Sequence, residues 1–181
     1  MSATWYECKV RFRKIDETGL QKVVTEPYLV DALSYTEAET RMTQEMMTYT
    51  SEEFKITNIR VANYAEVHPF ENSDRWFRSK VALTAYDEES GKERKSNIYL
   101  LVQANDLREA FDNTMVVMKN TMGDYTIPAI SESPIMDVFP YFSGDEEDLD
   151  KIEKFNELKA SKPEVTYEIE DPMEFQTEVL E

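Results

Sequence analysis

Polar and apolar positions alternate near the start of the chain. In "TWYECKVRF", Tyr6, Cys8, Val10 and Phe12 interleave with Glu7, Lys9, Arg11 and Arg13. A period of two marks a strand with one buried face. "DETG" follows and reads as a hairpin turn in which Gly19 supplies the positive φ that such loops need. A second strand holds Tyr28, Leu29 and Val30. The period then lengthens. Ser34 and Glu37 have the spacing of a capping box, and Ala38, Met42 and Met46 follow as one helical stripe. A last strand begins near Phe54, but Ile56 and Ile59 lie three residues apart. That phase slip predicts a bulge near Asn58.

The whole succession then recurs. "RWFRSKVAL" repeats the first strand, with Trp76 at the place of Trp5. Gly91 repeats the turn glycine, and Ile98 to Val102 repeat the second strand. Asp106 with Glu109 repeats the capping box, and Ala110, Val117 and Met118 carry the second helix. "YTIPAISESPIMDVFPY" aligns with "FKITNIRVANYAEVHPF", pairing Phe54 with Tyr125, Val67 with Val138 and Pro69 with Pro140. Pro128 marks the second bulge, since proline in a strand suits a bulge or an edge. Residues 4–70 and 75–141 are two copies of one unit. The expected class is α+β: two tandem pseudo-symmetric β-β-α-β repeats packed together within residues 1–143. A unit of three strands and one helix is too small to bury both faces alone. About six strands and two helices result, in one continuous sheet or in two facing sheets.

Beyond residue 143 the pattern changes. "SGDEEDLDKIEKFNELKAS" places Leu149, Ile152, Phe155 and Leu158 at steps of three. This predicts an amphipathic helix with an acidic first turn, followed by an extended tail. Phe175, Val179 and Leu180 stand among carboxylates in the manner of a partner-binding motif. A docked helix and strap is the alternative reading of residues 144–181.

Charge sharpens this division. The formal net charge is −17, from 37 acids and 20 bases. Residues 144–181 hold 14 of those acids and 4 of the bases, more than half of the excess. Such a balance disfavours a protein that coats DNA generally and favours solubility. The single cysteine, Cys8, excludes an internal disulfide and a multi-thiolate zinc site. No apolar run reaches the roughly 18 to 20 residues of a membrane span, and the first thirty residues lack a signal core. A cytoplasmic protein is the expectation.

Catalytic chemistry finds little support in the residues. The one histidine, His68, is matched by Phe139 in the other copy and reads as a packing or surface residue. Cys8, matched by Ser79, reads as a small core residue. Four glycines form neither a phosphate loop nor a dinucleotide fingerprint. Neither a metal site, a cofactor nor an enzymatic activity is expected.

Binding chemistry is more suggestive. Trp5, Lys9, Arg11 and Arg13 share the polar face of the first strand, and Trp76, Arg78 and Lys80 share that of its copy. Rings alternating with cations suit single-stranded nucleic acid, whose bases stack while its phosphates seek positive charge. The competing reading packs both tryptophans over the hairpins and leaves the cations to solvate the face.

"TWYECKVRF", "VTEPYLVDALSYTEAE", "SDRWF", "LLVQANDLREA" and "MDVFPY" together resemble a family of small proteins classed as a domain of unknown function, found in gut Bacteroidetes and in their phages. The resemblance covers about residues 4–142. It implies an intracellular or phage setting and brings no catalytic residues. The expected function is thus a non-enzymatic single-stranded nucleic-acid-binding protein, most readily one for DNA, with an acidic tail that recruits protein partners. Alternatives are an acidic protein-interaction module, such as an inhibitor that mimics DNA, or a structural component of a virion.

Overall fold

In the computed structural model, β1 (Thr4–Ile15) and β2 (Gln21–Ala32) form a long antiparallel hairpin. Residues 4–89, 91–121 and 123–140 are described, so the expected helix and tail of residues 144–181, with Phe175, Val179 and Leu180, lie outside the described residues. Gly19 turns the hairpin at φ 82°. Helix α1 (Tyr35–Tyr49) follows, then β3 (Phe54–Val61) and the short β4 (Glu66–His68). The second copy supplies β5 (Arg75–Asp87), β6 (Lys92–Ala104), α2 (Leu107–Met118), β7 (Asp124–Ser133) and β8 (Val138–Phe139).

Two four-stranded mixed sheets result, each carrying one helix. The strand orders are β3-β1-β2-β8 and β4-β6-β5-β7. The repeats therefore exchange their last strands: β8 pairs in parallel with β2, and β4 pairs in parallel with β6. Leu29 lies opposite Val138, and Leu101 lies opposite Val67. These short strands correct the expectation of about six. Two or three residues leave no alternation to read, and their partners sit in the other repeat.

The expected bulges are present. The β1–β3 register shifts between Lys9 and Val10, and the β5–β7 register shifts between Lys80 and Ala82. Thr57 is the residue left over in β3, and its hydroxyl donates to the Lys9 carbonyl at 3.1 Å. Both helices start on the expected caps. Ser34 Oγ accepts from the Glu37 amide and Asp106 Oδ1 from the Glu109 amide. The return bonds reach one residue further back than a capping box requires, since Glu37 accepts from Leu33 N–H and Glu109 from Asn105 N–H.

Each helix seals one face of its sheet. Under α1, Ala38, Met42 and Met46 meet Tyr6, Cys8, Val10, Phe12, Tyr28 and Val30. Under α2, Ala110 and Met118 meet Phe77, Val81, Leu100 and Val102. Thr114, not Val117, completes the fully buried stripe of α2. The reason is a paired change between the copies. Cys8 and Met42 are apolar neighbours in the first core, whereas their counterparts Ser79 and Thr114 share a buried 2.7 Å hydrogen bond. A buried hydroxyl is tolerated where a second hydroxyl satisfies it.

Candidate functional site

The faces turned away from the helices decide what the cations and tryptophans can do. On β1 that face carries Trp5, Glu7, Lys9, Arg11 and Arg13 in sequence, because odd positions oppose the helix-facing even ones. Near its start it is not open to solvent. A third buried cluster gathers Leu29 and Val138 from the first sheet with Trp76, Leu101 and Ile135, and Trp5, Ala62, Tyr64 and Val67 pack around it. The two repeats are joined there.

Both tryptophans thus enter one structure, as their recurrence suggested, but the junction claims them. Trp76 is 2% exposed, so its ring offers no surface to a base. Trp5 is half-buried. The expectation that both rings stack bases on an outward face is corrected for Trp76 and curtailed for Trp5. Alternation assigns a side chain to a face, but it does not say whether that face meets water or a second sheet.

Further along β1 the face opens, and Lys9, Arg11 and Arg13 are exposed. The cross-strand partner of Arg11 on β3 is Lys55, also exposed. On the other side the opposing residues are uncharged: Pro27 beside Lys9, Thr25 beside Arg11 and Val23 beside Arg13. Glu7 on the same face is engaged by Arg60 at 2.8 Å, which pushes the already high pKa of the guanidinium further up. Among the described residues, Lys9, Arg11, Arg13 and Lys55 have no ion-pair partner. Arg11, Arg13 and Lys55 also line a shallow depression of about 350 Å³ with Phe12, Val23, Glu53 and Phe54. Side chains two apart along a strand stand about 6.8 Å apart, a repeat that an extended polyanion can follow.

The second copy serves as an internal control. The positions of Lys9, Arg11, Arg13 and Lys55 are taken there by Lys80, Ala82, Thr84 and Thr126. Lys80 is half-buried, and Arg78 lays its guanidinium over the Tyr99 ring at 3.9 Å from the centroid. The scaffold is the same in both copies, so the fold itself does not require four cations on this face. Like charges directly opposed on neighbouring strands are destabilising, which makes the Arg11–Lys55 pair a cost without structural return. Sequence reading missed Lys55, because the β3 bulge changes which side chains share a face and only the pairing register places Lys55 beside Arg11.

The remaining candidates are structural. Cys8 is fully buried, and desolvation, with Glu7 and Glu39 adding to it, pushes its thiol up to about 12. A thiol held there is no nucleophile at neutral pH. His68 on β4 is half-buried and lies 2.7 Å from Glu66. Among the described residues no group of three or more His, Cys, Asp or Glu side chains is placed to hold a metal ion, and no helix is long and apolar enough to cross a membrane. Asp31, opposite Trp5, has its pKa raised to about 6 by desolvation, with Arg41 opposing the shift and Glu37 adding to it. Its Oδ1 is buried without a partner among the described residues, whereas Gln103, the equivalent residue, accepts the Phe70 amide at 3.1 Å.

A family model described as a domain of unknown function (DUF4494) matches residues 4–141. No curated protein and no solved structure matches the chain.

Proposed function

The chain belongs to that family, and from its own geometry we propose that it is a non-enzymatic binder of single-stranded nucleic acid whose contact surface is the cationic face of the first repeat. Lys9, Arg11, Arg13 and Lys55 follow the phosphates in this reading, and Trp5 lies at the junction end of the same face. The carrying observation is that these four cations, without an ion-pair partner among the described residues, occur in one copy of a duplicated fold, within a chain of net charge −17. An acidic protein that concentrates uncompensated positive charge on one strand face has a surface suited to a polyanion. Arg78 and Lys80 play a smaller part, since Tyr99 holds the first and the second is half-buried. The acidic residues 144–181 recruit protein partners in this proposal, and the setting is the cytoplasm of a bacterial host, with phage or chromosomal coding both in keeping.

The test is fluorescence anisotropy of labelled oligo-dT across a salt series. A label on the oligonucleotide is preferable to tryptophan quenching, because Trp76 is buried whether or not ligand binds. Binding at low salt that is lost in the Arg11→Glu/Arg13→Glu variant supports the proposal. Equal behaviour of the two proteins, or no binding by the native chain at low salt, refutes it.

A further inference from the structure

The same comparison between copies singles out a second surface of opposite character. On α2, Leu107, Phe111 and Met115 stand at steps of four and are 56%, 44% and 42% exposed. They form an apolar shoulder beside the buried stripe of Ala110, Thr114 and Met118, next to the edge strand β7, whose Tyr125 hydroxyl reaches Met115 Sδ at 3.6 Å. The equivalent residues of α1 are Tyr35, Glu39 and Thr43. Tyr35 is turned edge-on to Tyr6, with ring centroids 5.0 Å apart, and the other two are polar. The fold therefore does not require three apolar residues there: at these positions α1 carries one exposed ring, Tyr35, whereas α2 carries three exposed apolar side chains.

We propose that residues 145–160 of this same chain occupy the shoulder, with Leu149, Ile152, Phe155 and Leu158 packed on Leu107, Phe111 and Met115. Three half-exposed side chains are too few for the roughly 1,200 Å² that a stable interface between separate molecules buries. They suffice for a tethered occupant, whose effective concentration reaches the millimolar range. The lengths agree. At about 1.5 Å per residue, Leu107 to Met115 spans about 12 Å, and Leu149 to Leu158 spans about 14 Å when helical. The tether is adequate as well. Eight residues lie between Pro140 and Leu149, which makes nine steps of chain. They reach about 30 Å when extended, about twice the roughly 14 Å radius of gyration of a domain this size. The apolar stripe directs the choice of helix, since charge does not separate the two: α1 carries Arg41 with Glu37, Glu39 and Glu45, and α2 carries Arg108 with Glu109 and Asp112. This inference is independent of nucleic-acid binding. It anchors part of the acidic extension on the second repeat, away from the cations of the first.

The experiment uses the full chain with Met115→Cys, and Leu107→Cys as a second reporter in case either perturbs the shoulder. Buried Cys8 stays silent toward a thiol reagent in the folded protein. The rate of reaction with an aromatic disulfide reagent is compared with and without Ile152→Glu/Phe155→Glu. The expected result is slow labelling that accelerates at least tenfold in the double variant and does not depend on protein concentration. Fast labelling in both backgrounds overturns the proposal. Protection that grows with protein concentration also overturns it, by assigning the shoulder to a second copy.

Discussion

Replacing Lys55 with glutamate separates stability from binding, because the cationic face predicts opposite signs for the two. In the native chain Lys55 is paired directly across from Arg11. Opposed like charges on a sheet cost a few tenths to about 1 kcal/mol, and opposed unlike charges contribute a similar amount. The swing is about 0.5–1 kcal/mol, held to that range because Glu53 lines the same depression and repels the new carboxylate. For a chain of this length, that is a rise in Tm of about 1–4 °C. It is larger at low salt and fades toward 1 M, where the Debye length is about 3 Å. Binding moves the other way. Four phosphate contacts to a single strand give a slope of log K against log salt near −2.8, at about −0.7 each. Lys55→Glu removes one contact and engages Arg11, so the slope falls to between about −2.1 and −1.4. Thermal melts at low and high salt, with oligo-dT titrations over the same range, read both effects. A variant that is less stable than the native chain at low salt, or one that keeps the native salt slope, refutes the reasoning.

Three further outcomes follow from the core and the junction. Trp76→Ala opens a void where the two repeats meet and lowers unfolding free energy by about 3–5 kcal/mol in denaturant titration, while the oligo-dT affinity of the remaining folded protein is unchanged. Thr114→Val strands the buried Ser79 hydroxyl and costs about 1–3 kcal/mol, and adding Ser79→Ala recovers most of that loss, so a double-mutant cycle gives a clear coupling energy. Asp31→Asn tests linkage. A carboxyl raised to about 6 in the folded state binds its proton more tightly than in the unfolded chain, so its ionisation weakens the fold as pH rises from about 4 through 6. Asp31→Asn is accordingly more stable than the native protein at pH 7 to 8, by about 1 kcal/mol after allowing for solvent screening of a half-exposed group, and the advantage disappears near pH 4 in melts across that range.

Local regularities carried most of the architecture into the sequence. The two-residue alternation around Cys8 and Ser79, the caps at Ser34 and Asp106, the turn glycines and the paired phase slips at β3 and β7 each depend on neighbours within a few positions. Duplication doubled every one of these signals, so an α+β repeat was readable without knowing how the copies meet. Lys9, Arg11 and Arg13 were likewise readable as one strand face, because a period of two is a property of the strand alone.

Only the tertiary structure decided the rest. Exchange of β4 and β8 depends on contacts between residues 34 and 109 positions apart, such as Val67 with Leu101 and Leu29 with Val138, and strands this short leave no pattern of their own. The fate of the tryptophans turned on which end of the polar face meets the other sheet. Trp76 is buried there with Leu29 and Leu101, while Arg11, six residues along from Trp5 on the first strand, stays in water. The pairing of Lys55 with Arg11 depends on a register that the bulge resets. The sequence by itself determined which side chains of one regular strand share a face. Burial of that face is a property of the surface packed against it, and here that surface comes from the other half of the chain.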